Sequence, residues 1–336
     1  MATRIQSEIA EQYRLLKEAA GLLDRSDRGK LDVTGPDAYE FLQGQVTNEI
    51  ESLEVGHGCY AALLNPKGHI LSDLRVLARG PEELWLDLEP AALDVAIADL
   101  RMYKIGRRAE IADRTGERSL LSLIGPTAGE LARLALDHGG GADLPEDEDS
   151  FVEGGIAGAA VVVVRTDVGH DVLAESQHVE RVAEALVAQG AALVGDEAAE
   201  IVRIESGRPR YGMDMTDENL PAEVGIVERA VNFTKGCYTG QEPVARMHYK
   251  GRPNRHLRGL ALARPAEPGE AIFSSGKDVG RITSACVSPA LGPIALSLVR
   301  REVAPGDSVT IGDQGLAAEV LELPFEGRIL GEVPAS

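Results

Sequence analysis

The sequence predicts an α+β protein whose final portion is all β. Three observations carry that expectation. Helical and strand periodicities alternate from the N-terminus to about Glu205. After about Arg255 only short apolar runs remain, divided by turn sequences. The chain has 336 residues, of which 44% are hydrophobic, more than a single core ordinarily serves, so two or three domains are expected.

The elements follow in order. Ile5, Ile9, Tyr13, Leu16 and Ala20 recur at three- and four-residue steps among charged residues, which predicts an amphipathic N-terminal helix within residues 1–25. Leu31 to Val33 reads as a short strand, and Gly35-Pro36-Asp37 turns it into a helix through Leu42. Cys59 to Leu64, Ile70 to Ala78 and Glu83 to Leu88 read as strands, the first two joined at Asn65-Pro66-Lys67-Gly68. A helix is expected over Ala91 to Met102, strands near Ala109 to Ala112 and Leu120 to Ile124, and a helix from Ala128 to Asp137. Gly139-Gly140-Gly141 and Glu146-Asp147-Glu148-Asp149 read as a solvated surface loop. Val161 to Val164 is a buried strand. Helices follow at His178 to Gln189 and Glu197 to Glu205. From 251 onward, Leu257 to Ala263, Val279 to Val287, Ile294 to Leu298 and Ala317 to Leu321 form a small barrel or sandwich, with turns such as Glu267-Pro268-Gly269 between them.

Lys plus Arg number 34 and Asp plus Glu 54, a net charge of −20. Such an excess of acid argues against nucleic acid and against an anionic membrane surface as partners. Three cysteines, Cys59, Cys237 and Cys286, suggest neither a disulfide framework nor a zinc site. A reducing cytoplasm is the expected location. The histidines show no metal-ligand spacing, and no nucleophile elbow or phosphate loop is present.

Two features stand out chemically. Lys235-Gly236-Cys237-Tyr238-Thr239-Gly240-Gln241-Glu242 sets a cysteine between glycines, with a lysine two residues before it. A cation close to a thiol favours the reactive thiolate; a buried structural cysteine in a glycine-dependent turn is the other reading. From Pro243 to Ala266 the chain carries no Asp or Glu but holds Arg246, Lys250, Arg252, Arg255, Arg258 and Arg264. Such a segment suits a carboxylate or phosphate ligand, or else pairs with acidic neighbours. Arg203 to Arg210 is a cation-rich loop after a helix end, where the helix dipole alone favours positive charge.

Taken together these residues resemble the YgfZ-type folate-binding proteins, relatives of the aminomethyltransferase of the glycine cleavage system. The Lys235 to Glu242 loop followed by Val244-Ala245-Arg246 carries most of the resemblance. Phe41-Leu42-Gln43-Gly44-Gln45-Val46-Thr47-Asn48, Asn65 to Arg75, Arg203 to Gly207 and Leu220 to Glu223 support it. The resemblance implies three domains around a central cavity that binds tetrahydrofolate, with a C-terminal β-barrel. It implies Cys237 as a functional thiol helped by Lys235, Asp73 as a catalytic carboxylate, and cofactor contacts from Asn65, Asp73, Glu205, Lys235, Tyr238, Gln241, Glu242 and Arg246. Arginines between 246 and 258 would receive the glutamate tail of the folate. Departures separate the branches. Arg165 to Asp171 lacks the Gly-Glu-Asp-Gly core of the transferases, Ala199 stands where they carry an arginine, and Ser72-Asp73 replaces their Asp-Asp. The resemblance therefore implies a folate-binding protein that supports iron–sulfur cluster assembly or repair of client enzymes. The alternatives are a folate-dependent aminomethyltransferase or demethylase, and a non-catalytic interaction module.

Overall fold

The computed structural model describes residues 2–137 and 143–325, with side chains from Gln6. In chain order the elements are α1 (Ala2–Glu18), β1 (Gly21–Asp24), β2 (Gly29–Thr34), α2 (Ala38–Gln43), β3 (Gly58–Leu64), β4 (Ile70–Gly80), β5 (Glu83–Leu88), α3 (Leu93–Tyr103), β6 (Glu110–Asp113), β7 (Arg118–Ile124), α4 (Ala128–Ala135), β8 (Phe151–Ile156), β9 (Ala159–Thr166), β10 (Gly169–Glu175), α5 (Val179–Ala188), β11 (Ala192–Leu193), α6 (Asp196–Glu205), α7 (Val227–Ala230) and α8 (Gln241–Lys250). The final strands are β12 (Arg255–Leu262), β13 (Ala271–Ser274), β14 (Lys277–Ser288), β15 (Gly292–Arg300), β16 (Ser308–Ile311) and β17 (Leu316–Leu321).

The chain divides into two compact units. The first holds residues 1–66, 71–199 and 229–239; the second holds 67–70, 200–228 and 240–336. The first unit contains two sheets, ordered β11-β1-β7-β10-β9-β8 and β3-β4-β5-β2-β6. The valine run of β9 shows how its layers assemble. Val161 and Val163 pack with α4 and α5 residues such as Ala132, Val182 and Leu186. Val162 and Val164 face the other way, onto Leu77, Leu120 and Phe151. A strand buried on both faces has no solvent side to mark with polar residues, so it reads as an unbroken apolar run.

In the second unit β12-β15-β14-β13-β16-β17 close into a barrel around Leu260, Ile272, Ile282, Val299, Ile311 and Val320. Closure leaves no unpaired edge, and it confirms the barrel expected after Arg255. Arg203 on α6 meets Glu200 at 2.5 Å and Asp214 at 2.6 Å and donates to Ser284 at 2.8 Å. Asp214 is buried and accepts further bonds from the Arg210 N–H, Thr283 and Ser284. The cation-rich loop is thereby tied to acids of its own unit.

Elements that carry internal polar residues escaped the sequence pattern. β10 was missed because His170 and Asp171, both buried, interrupt its apolar run. α8 was missed because Val244 is its one buried residue, so no apolar stripe marks it; Pro243 sits in its first turn, where the absent N–H costs nothing. Gly139 to Gly141 lie outside the described residues. Of the acidic stretch that follows, Glu146, Asp147 and Glu148 are exposed, but Asp149 is buried at φ 65°. The expectation of a wholly solvated loop is corrected there: burial, then the Glu148 charge, push Asp149 up to about 7 against the pull of Arg75. Among the described residues no helix is long and apolar enough to cross a membrane.

Candidate functional site

Asp73 and Arg75 stand two residues apart on β4, so the pleat turns both to one face. That face carries a layer of charge. Arg75 donates to Asp87 at 2.6 Å and lies 2.8 Å from Asp171, whose other oxygen accepts from Ser122 at 2.6 Å. Arg28 also reaches Asp87, at 2.6 Å, and pairs with Glu89. Burial alone would raise Asp87, yet Arg75 and Arg28 hold it well below the usual carboxylate range. These charges are paired, the condition on which buried charge is tolerated, with Arg75 Nη2 meeting Asp171 as an ion pair without a hydrogen bond.

Asp73 is the carboxylate of this layer with an acceptor left over. The Tyr60 hydroxyl, from β3, donates to its Oδ2 at 2.9 Å. Its Oδ1 is buried and has no hydrogen-bond partner among the described residues. Burial first, then the Glu89 charge, push its carboxyl up to about 6, although Arg28 and the Tyr60 bond pull the other way. A carboxyl with a midpoint near neutrality and a vacant acceptor can take and return a proton.

The cysteine loop is built differently from expectation. Lys235 is buried, and its ammonium donates to the carbonyls of Gln43, Val46 and Asn48 at 2.8, 2.7 and 2.5 Å. Burial lowers it to about 8, against the raising effect of Glu49 and Cys59. The ammonium therefore anchors the 43–48 segment, and the expectation that it serves the Cys237 thiol is corrected. Tyr238 is likewise buried, with the Lys235 ammonium 5.2 Å from its ring centre, and burial pushes its phenol up to about 12. Both side chains expected to contact a cofactor face inward as anchors. Cys237, between them, is exposed and free.

The 43–48 segment completes this clip. Thr47 donates to the Ala230 carbonyl at 2.5 Å and accepts the Ala62 N–H at 2.8 Å. Asn48 donates to the carbonyls of Tyr60 and Arg229. The Thr239 N–H reaches the Gly44 carbonyl at 3.1 Å. Three distant stretches of the sequence, around 45, 61 and 235, are thus one hydrogen-bonded structure within the first unit. Asn65 lies half-buried at the end of β3 in the same unit.

The remaining predicted residues belong to the second unit. Gln241 and Glu242 open α8 behind Gly240 at φ 81°. Gly68, at φ 82°, lies so near this helix start that an added Cβ would meet Pro243 at 2.9 Å, which accounts for the glycine in the Asn65-Pro66-Lys67-Gly68 turn. Glu242 and Arg246 are exposed. Glu205 is buried and accepts from Ser288 at 2.5 Å, a structural engagement. Of the basic segment, Arg258 pairs with Glu322 at 3.5 Å and Arg264 donates to Gln314. Arg246, Lys250, Arg252 and Arg255 are exposed.

Tyr60, Arg28 and Glu89 are the site residues that sequence reasoning missed. Tyr60 had one available signal, its place on a strand joined by a tight turn to the strand of Asp73. Arg28 and Glu89 had none. No group of three or more His, Cys, Asp or Glu side chains suited to a metal ion occurs among the described residues.

Residues 2–235 match the family described as the GCVT N-terminal domain, and residues 255–326 match the glycine cleavage T-protein C-terminal barrel domain. The chain is 30% identical over 340 residues to an aminomethyltransferase of Moorella thermoacetica, covering 96% of this chain and 90% of the relative. It is 30% identical over 344 residues to an aminomethyltransferase of Desulforamulus reducens, covering 98% and 92%. The crystal structure of glycine cleavage system aminomethyltransferase T from Bartonella henselae superposes with a TM-score of 0.85 at 24% identity, over 95% of this chain and 90% of that one, and shares its fold. The chain belongs to the glycine cleavage T-protein (GcvT) family.

Proposed function

We infer that this chain binds a reduced folate and acts in one-carbon transfer of the aminomethyltransferase type, with Asp73 as its acid–base group. The observation that carries this reading is the buried, unpartnered Oδ1 of Asp73 on a carboxyl poised near pH 6. The relatives named aminomethyltransferase support the reaction class. A bound tetrahydrofolate would supply two nitrogen atoms, each forming one bond to the methylene carbon and giving up its proton as that carbon's bonds to the amine and to the rest of the donor break. Asp73 holds the proton that the amine needs to depart as a neutral leaving group. Arg28 keeps the site from accumulating negative charge when Asp73 ionises beside Glu89.

The test combines calorimetry with turnover. Tetrahydrofolate binding with a Kd in the micromolar range, and formation of methylene-tetrahydrofolate from an aminomethyl donor, are expected. Asp73→Asn should lower kcat by 10²- to 10⁴-fold. Failure of any reduced folate to bind at millimolar concentration would sink the reading.

One observation favours a second reading, the YgfZ-type one, in which the folate-binding protein supports iron–sulfur enzymes. Cys237 is presented to solvent on a loop held by three ammonium hydrogen bonds. In that reading Cys237→Ala abolishes support of an iron–sulfur enzyme in a deletion strain, while Asp73→Asn leaves it intact. In the transferase reading the two variants exchange these outcomes in the turnover assay.

A further inference from the structure

The acidic stretch after residue 145 and the tyrosine of β3 remain outside the function just described, and they meet at one place. Tyr60 donates its hydroxyl to Oδ2 of Asp73 at 2.9 Å. Over its ring lies the Arg229 guanidinium, 4.7 Å from the ring centre, a distance at which cation and aromatic face attract. Arg229 is in turn paired with Glu148. Asn48 ties the two backbones, donating to the Tyr60 carbonyl at 2.8 Å and the Arg229 carbonyl at 3.1 Å. The phenol is thus fixed from its face, its backbone and its hydroxyl.

We propose that Tyr60, held by Arg229 and Glu148, is the positioning residue of Asp73. Its hydroxyl engages Oδ2 and leaves Oδ1 as the oxygen that meets a ligand's N–H or O–H. This deepens the transferase reading and rests on it only for the identity of the reaction; the hold on Asp73 exists without any ligand. A carboxylate turned by one fixed donor presents its second oxygen in a single direction, which is what a proton transfer of defined geometry requires. The charged and titratable groups around Asp73 are Glu89 after β5, Arg28 before β2 and Tyr60 on β3, with Asp87 and Arg75 one step further along the layer. Of these Tyr60 alone is a neutral donor, so its removal changes no formal charge.

The decisive measurement is a pH titration of the Asp73 carboxyl carbon by NMR in ligand-free protein. The wild type is compared with Tyr60→Phe and Arg229→Met. A donor to the ionised form lowers a carboxyl midpoint, so Tyr60→Phe should raise that midpoint by about half a pH unit or more. Arg229→Met should move it the same way by less. The acid limb of the kcat/KM profile should follow, with kcat reduced more than KM is raised. Arg229 is 34% exposed at its side chain, so its variant is the milder perturbation and gives a second reading of the same hold on Asp73. A Tyr60→Phe midpoint that coincides with wild type overturns the proposal, as does wild-type behaviour of Arg229→Met. Absence of folate turnover in the wild type would instead overturn the transferase reading, because the NMR midpoint is read without substrate.

Discussion

Replacing Asp73 by Asn should make the protein more stable while disabling it. The carboxyl has its midpoint at about 6 instead of its ordinary 3.8. Carrying it ionised at pH 8 therefore costs the folded state about 3 kcal/mol, and partial exposure reduces this to about 2 kcal/mol. Because the folded midpoint lies above the unfolded one, the folded state keeps the proton longer. Stability contributed by this group falls as pH rises from 4 through 6, and the full penalty is present above 6. Asparagine removes the charge, and its Oδ1 still accepts the Tyr60 hydroxyl, so little else is lost. Calorimetric scans at pH 8 should show Tm raised by about 5 °C for a unit of this size. The gain should shrink to a small fraction near pH 4, where the wild-type carboxyl is protonated in the folded state. A Tm gain that is the same at both pH values, or a loss at pH 8, would refute the assignment of Asp73 as a strained carboxylate.

Three further outcomes are expected. Lys235→Met should lower stability by roughly 3 to 5 kcal/mol, because it strands three carbonyls that now share one buried ammonium; urea denaturation reads this directly, and a neutral result would mean the clip is dispensable. Of the three thiols, Cys237 should react fastest with a disulfide reagent at pH 8. Burial pushes Cys59 and Cys286 up to about 12, so equal rates would contradict their placement. Asp214→Ala should cost roughly 3 to 5 kcal/mol in the second unit by removing the buried carboxylate that pairs with Arg203 and accepts from the Arg210 N–H, Thr283 and Ser284, visible as a lowered Tm.

The helix and strand order was legible because each element writes its own period into neighbouring residues. The Asn65-Pro66-Lys67-Gly68 turn and the β-barrel were legible for the same local reason. So was the presence of a special cysteine loop, since its residues are contiguous. Among the elements that were missed, β10 carries polar groups facing inward, and α8 buries a single apolar residue, Val244. Both patterns look like loops until a partner is in place.

Local sequence was thus enough for the α+β fold, the barrel and the relationship to the GcvT family, though not for the branch within it, and it drew attention to Asp73 and Cys237. What those residues experience depends on the folded chain. Lys235 lies two positions from Cys237 in the chain, yet its ammonium answers to carbonyls nearly two hundred residues earlier. Asp73 owes its midpoint near 6 to burial and to Glu89, opposed by Arg28 and Tyr60, side chains brought from other strands and loops. Backbone periodicity depends on adjacent residues, whereas desolvation and charge–charge energy depend on distance through space. That distance is set only when the chain has folded.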